Sequence, residues 1–362
     1  MADDVTDSRV ARLIAAGPRI FVAIGAVLLF LFAVQLLGAA TGVLSPQLRP
    51  VFDRLVVGNG SAVGISWLAA YGALNGSVVA AVSLSLFDGG VITGIQLFLM
   101  IMGSRLGAAG IVVVLGGVDY LQHRRYTLRR ATGLGLLTFL VTHTIYLPAT
   151  ALGTVAIVAF DVDVAGVGGL LDVRVRWFEF FAPIATWITR RIGPTVAFLA
   201  AFLLLLVSMR VIDRVMASVD TTWMQTRVHR LLESTWVAFG LGFVVTGVVT
   251  SVAFSLGVVV PLYNRRYVDR EDLIPYVLGA SLGTLSDTLL VALILDSPAG
   301  FTTVLLVLGV AGVVTLLALA GLDRYVAFLE RTYDRIVASP KAFTAFASAL
   351  VIVPLLLVLL PI

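Results

Sequence analysis

Gly279-Ala280-Ser281-Leu282-Gly283-Thr284-Leu285-Ser286-Asp287-Thr288 sits inside an apolar run from Leu273 to Leu295. Two glycines four apart, four hydroxyls and one carboxylate serve no purpose on a helix that only faces lipid. The stretch predicts a helix that breaks at mid-membrane and offers backbone groups and side-chain oxygens to a solute. An altered version, Gly103-Ser104-Arg105-Leu106-Gly107, lies in the first half of the chain.

Composition supports the membrane setting. Of 362 residues, 59% are hydrophobic and 13% charged, against about a quarter charged in soluble chains. Several runs exceed the roughly 20 residues a spanning helix needs, and alternating strand patterns are absent, so the fold class is an all-α polytopic membrane protein. The arginines behind the net charge of +4 lie mainly in short loops, where membrane topology explains them without any nucleic-acid partner. With no cysteine there is no disulfide or thiolate metal site, and His123, His143 and His229 form no metal-spacing pattern. No phosphate-loop motif and no nucleophile, base and acid set appears, which argues against an enzyme or an ATP-driven pump.

Read in order, residues 1–18 form a polar tail, expected in the cytoplasm, and the run from Ile20 to Ala40 is the first span. Leu44 to Gly60, with Pro46, Arg49, Pro50, Asp53 and Arg54, reads as interfacial. Residues 61–87, interrupted at Asn75, Gly76 and Ser77, read as a re-entrant hairpin, and 91–121 as a broken helix around Gly103 to Gly107. Residues 131–192 supply a crossing helix and an extracellular connector with Asp161, Asp163 and Asp172. The second unit, 193–296, repeats the pattern: a span, an interfacial stretch to Glu233, a hairpin at 235–262 with Thr250 and Ser251, and a broken helix at 273–295. Residues 297–362 form the C-terminal helices.

Gly103 and Gly107 fall 176 positions before Gly279 and Gly283, which marks the halves as one unit used twice. With the basic loop from Gln122 to Arg130 placed inside, the crossings put the interfacial stretches of the two halves on opposite faces. Charge and spacing therefore predict two inverted repeats, each with a re-entrant hairpin and a broken transmembrane helix.

Asp287 is the only acidic residue between Leu273 and Leu295. It either binds sodium or carries a proton, or it forms an ion pair with Arg105 of the other half. Arg105 either neutralises an anion with forked hydrogen bonds or fills the space of a cation. Unpaired amides at the break favour an anion, with Ser281 and Thr284 adding hydroxyls. Small residues packing closely and hydroxyls bonding back to their own helix form the structural alternative. His143 and Tyr146 in the crossing helix read as bundle hydrogen-bonding groups.

The arrangement resembles the sodium/phosphate cotransporter family, over roughly Leu29 to Leu147 and Phe202 to Leu295. Leu29-Phe-Leu-Phe-Ala-Val-Gln-Leu-Leu-Gly38 is similar to the family's first helix, and Gly279-Ala-Ser-Leu-Gly-Thr284 to its GANIGT motif, with Ser281 in place of asparagine. The family's QSSS positions fall on Leu74, Asn75, Gly76 and Ser77 and on Gly247, Val248, Val249 and Thr250, and its His-x-x-x-Asn positions on Gly135 and Phe139. The resemblance implies sodium-coupled symport of inorganic phosphate or a similar anion across the plasma membrane by alternating access. It implies substrate contacts from Asn75, Ser77, Ser104, Arg105, Thr250, Ser251, Gly279, Ser281, Gly283 and Thr284, and cation contacts from Ser286, Asp287 and Thr288. Sodium is the coupling ion on this reading, no other cofactor is expected, and a homodimer is compatible with it. A scaffold or sensor derived from the same family, or a transporter of another anion without sodium, is the alternative.

Overall fold

The computed structural model describes residues 2–122, 128–161, 180–219, 231–264, 268 and 270–360. Among the described residues the chain is all-helical, and seven helices are long and apolar enough to cross a membrane. Parts of the basic loop, the acidic connector with Asp163 and Asp172, part of the second interfacial stretch, and residues 265–267 and 269 lie outside the described residues.

Helix α1 runs from Ala2 to Leu55 and passes through Pro18, Pro46 and Pro50 without ending. The expected boundary between a span at Ile20 to Ala40 and a separate interfacial stretch is therefore absent. Proline removes one backbone donor and bends a helix, but the flanking turns here keep helical geometry.

Two short helices follow, α2 (Asn59–Ala73) and α3 (Gly76–Asp88), then α4 (Gly94–Gln122). The second half repeats this as α8 (Thr235–Val249), α9 (Val252–Asn264) and α10 (Arg270–Gly283). Both ends of α8 and α9, and the start of α10, lie 176 positions after those of α2, α3 and α4. At 15 and 13 residues, the paired helices are about 22 and 20 Å long, short of the roughly 30 Å apolar slab. Each pair turns at one left-handed residue, Leu74 with φ 52° or Thr250 with φ 55°, again 176 positions apart.

The glycines lock each unit in the same way. A Cβ on Gly103 would fall 2.3 Å from the Val63 carbonyl oxygen, and one on Gly107 2.5 Å from that of Trp67. In the second unit Gly279 meets the Phe239 oxygen at 2.0 Å and Gly283 that of Phe243 at 2.5 Å. The spacing of four puts both glycines on one helix face, where the missing side chains let backbones touch.

Helices α5 (Leu128–Ala159), α6 (Ala182–Ile192) and α7 (Pro194–Ala217) join the units. After α10 come α11 (Leu285–Ile294), α12 (Pro298–Ala320), the amphipathic α13 (Leu322–Val337) and α14 (Pro340–Leu359). Helix α1 packs along α7, α2 on α4 and α8 on α10, while α3 reaches across to α11. That last contact builds the site.

The break expected within 91–121 does not occur, because α4 runs unbroken through Gly103 and Gly107. No hydroxyl follows Gly107, where Ala108 and Ala109 stand in the positions of Thr284 and Leu285. In the second half the break is confined to Thr284, which keeps right-handed helical angles (φ −61°, ψ −22°).

Candidate functional site

Four side chains from three helices meet between the halves. Asn75 caps α3 by accepting from the Val78 amide at 3.1 Å, which fixes the turn and directs Ser77 across to α11. Ser77 Oγ donates to Asp287 Oδ2. From α4, Arg105 Nη2 donates to Asp287 Oδ1 at 3.1 Å and to Thr288 Oγ1. Thr288 Oγ1 itself donates to Asp287 Oδ1 at 2.7 Å.

The ion pair is buried, with Arg105 5% and Asp287 2% exposed, while Ser77 at its edge is half-buried. An isolated charge there would be expensive, and the ion pair with shared hydroxyls offsets that cost. One donor is left over: the buried Arg105 Nε has no partner. A guanidinium presents five N–H groups, so the edge beyond Asp287 can still receive an oxygen acceptor.

The other expected site residues do different work. Ser104 Oγ donates back to the Ile101 carbonyl at 2.7 Å, Thr284 Oγ1 to that of Ser281 at 2.7 Å, and Ser286 Oγ to that of Gly283 at 2.6 Å. The Ser281 carbonyl also accepts from Tyr146 OH at 3.0 Å, which ties α5 to the interruption. The carbonyls of Ser281 and Gly283 are therefore engaged by these hydroxyls, and Ser286 donates along its own helix. Gly279 and Gly283 act through the backbone packing described above.

The second hairpin tip does not join the cluster through its hydroxyls. Thr250 Oγ1 donates to its neighbour's carbonyl, Val249 O, at 2.8 Å, and Ser251 Oγ donates to Asp213 Oδ1 on α7 at 2.7 Å. Sequence offered no reason to pair Ser251 with Asp213, since α7 is 38 positions away and only the fold brings it near.

A separate hydroxyl chain runs from Thr246 to Ser255 at 2.6 Å and from Ser255 to Tyr276 OH at 2.8 Å, joining α8, α9 and α10. His143 bonds within the bundle as expected: its Nδ1 lies 3.1 Å from the Phe139 carbonyl and its ring stacks on Phe139 at 3.7 Å. Its Nε2 has no partner. Gln35 Nε2 donates to the Ile294 carbonyl and fastens α1 to α11, a contact that the sequence match of the first helix did not reveal.

No curated protein and no solved structure matches the chain. One family model does, over residues from within α7 to within α13, a stretch that holds Asp287 and Thr288 and leaves out Ser77 and Arg105. Residues 204–329 match the Na+/Pi-cotransporter model, so this stretch of the multi-pass helical chain is similar to that family, a family of transporters rather than enzymes.

Proposed function

We propose that the chain carries inorganic phosphate, or an anion of like size and charge, across the cell membrane by alternating access. The observation that carries this reading is the buried Arg105, placed where α3, α4 and α11 meet and left with a free Nε donor. A buried unpaired N–H costs about 1–3 kcal/mol, and an anion's oxygen is the acceptor that best relieves it. The choice of phosphate comes from the family.

Alternating access fits two units of one design packed against each other. Equal helix bounds, equal left-handed turns and matched glycine contacts support a repeat. The short hairpins and the opposed charge of the connecting loops support an inverted one with re-entrant tips. Sodium is the coupling ion that the family description implies. The closed ion pair also favours a second reading, a scaffold on the same fold without transport.

One assay separates them. Vesicles reconstituted with the protein and loaded with unlabelled phosphate are expected to take up labelled phosphate by counterflow, which needs no driving cation. Uptake no greater than in protein-free vesicles would remove the transport reading.

A further inference from the structure

A carboxylate inside a span needs a compensating positive charge, because its ionised form is costly away from water. At Asp287 the charge is already supplied. Oδ1 accepts from Arg105 and Thr288 and Oδ2 from Ser77, so both oxygens are engaged. The charge comes from the opposite half, from the position between Gly103 and Gly107 whose counterpart between Gly279 and Gly283 is the neutral Ser281.

A metal cation at the same carboxylate would have to sit against a fixed guanidinium, and like charges within about 4–6 Å oppose each other. Arginine cannot make room by losing its proton. Arg105 is the basic side chain that pairs with Asp287, at 3.1 Å.

We infer that the guanidinium of Arg105 is the resident cation of Asp287, standing where a sodium ion would otherwise bind, and that anion transport through this site runs without sodium. The inference rests on the transport reading above and names how that site is charge-balanced. Nη2 serves the carboxylate while Nε remains for the anion, so one side chain acts as counter-ion and anchor at once.

Two readouts on the full-length protein test it. Coupled ligands change each other's affinity by about 5–150-fold; phosphate counterflow here is expected to differ by less than about twofold between sodium and N-methylglucamine, each as chloride at equal ionic strength. A sodium stimulation in the coupled range would overturn the inference. Thermal unfolding in detergent gives the second readout, independent of transport. Wild type is expected to unfold at the same temperature in either salt, whereas Arg105→Met gains a sodium-dependent rise that Arg105→Met/Asp287→Asn lacks.

A sodium-dependent rise in wild type that Asp287→Asn abolishes would overturn the inference. Should Arg105→Met fail to fold, the wild-type and Asp287→Asn comparison still decides. Absence of counterflow in every salt removes the transport reading alone, since unfolding still reports which cation Asp287 holds.

Discussion

The two glycine stretches share a scaffold and differ in chemistry. Gly103 and Gly107 press on the backbone of α2 as Gly279 and Gly283 press on that of α8, with partner residues at the same offset. Between the first pair stands Arg105 in an unbroken helix. Between the second stands Ser281, whose carbonyl is claimed by Tyr146 and Thr284 where the helix is interrupted. A duplicated frame has thus become a complementary pair, one half contributing the base and the other the acid. Symmetry of packing did not require symmetry of charge.

The sharpest way to break this comparison is to remove one charge. Arg105→Met or Asp287→Asn alone is expected to cost about 3–5 kcal/mol, because each leaves a buried group unpaired. The double variant should recover most of that loss in thermal unfolding, and additive losses would mean that the two do not act as a pair.

Adding a methyl group tests the shared frame. Gly103→Ala and Gly279→Ala should each destabilise by about 1–3 kcal/mol, since the new Cβ overlaps a backbone oxygen that cannot swing away. Similar losses in both halves are expected. Gly257→Ala on α9, which meets nothing within 4 Å, is the control that should stay within about 0.5 kcal/mol.

The hairpin tips separate next. Ser77→Ala removes a bond to the central carboxylate, worth about 1.5–3 kcal/mol, and should lower phosphate counterflow. Ser251→Ala loosens α9 from Asp213 and is expected to leave phosphate affinity unchanged. Equal effects of the two on affinity would restore a symmetric site. The smallest change is expected from Ser286→Ala, within about 0.5 kcal/mol, because its hydroxyl only bonds back along its own helix.

How far the sequence led can be judged residue by residue. Hydrophobic run length located the spans, because the bilayer imposes its thickness directly on composition. The 176-residue spacing of the glycines located two stretches with matched helix bounds and matched backbone contacts, since close backbone contact leaves no alternative residue. Asp287 and Arg105 could be matched because each is the lone charge of an apolar stretch. What stayed hidden was competition between bonds. Whether Thr284 and Ser286 face a solute or their own carbonyls depends on rotamers, and α4 runs whole through Ala108, the counterpart of Thr284. The Ser251 to Asp213 bond is set by the packing of α9 beside α7, which no local pattern encodes.

Helix α1 has one more consequence. Its apolar portion, Gly17–Leu55, is 39 residues long, a rod of about 58 Å at 1.5 Å per residue. The apolar slab is about 30 Å thick. Such a rod cannot stand upright inside it, so α1 must lean steeply or carry its end bearing Arg49, Asp53 and Arg54 out into the headgroups. Because Gln35 pins this rod to Ile294 at the far end of α11, a change in bilayer thickness that altered its lean would be felt directly at the helix that holds Asp287. The same tether makes the closed site answerable to the lipid it sits in.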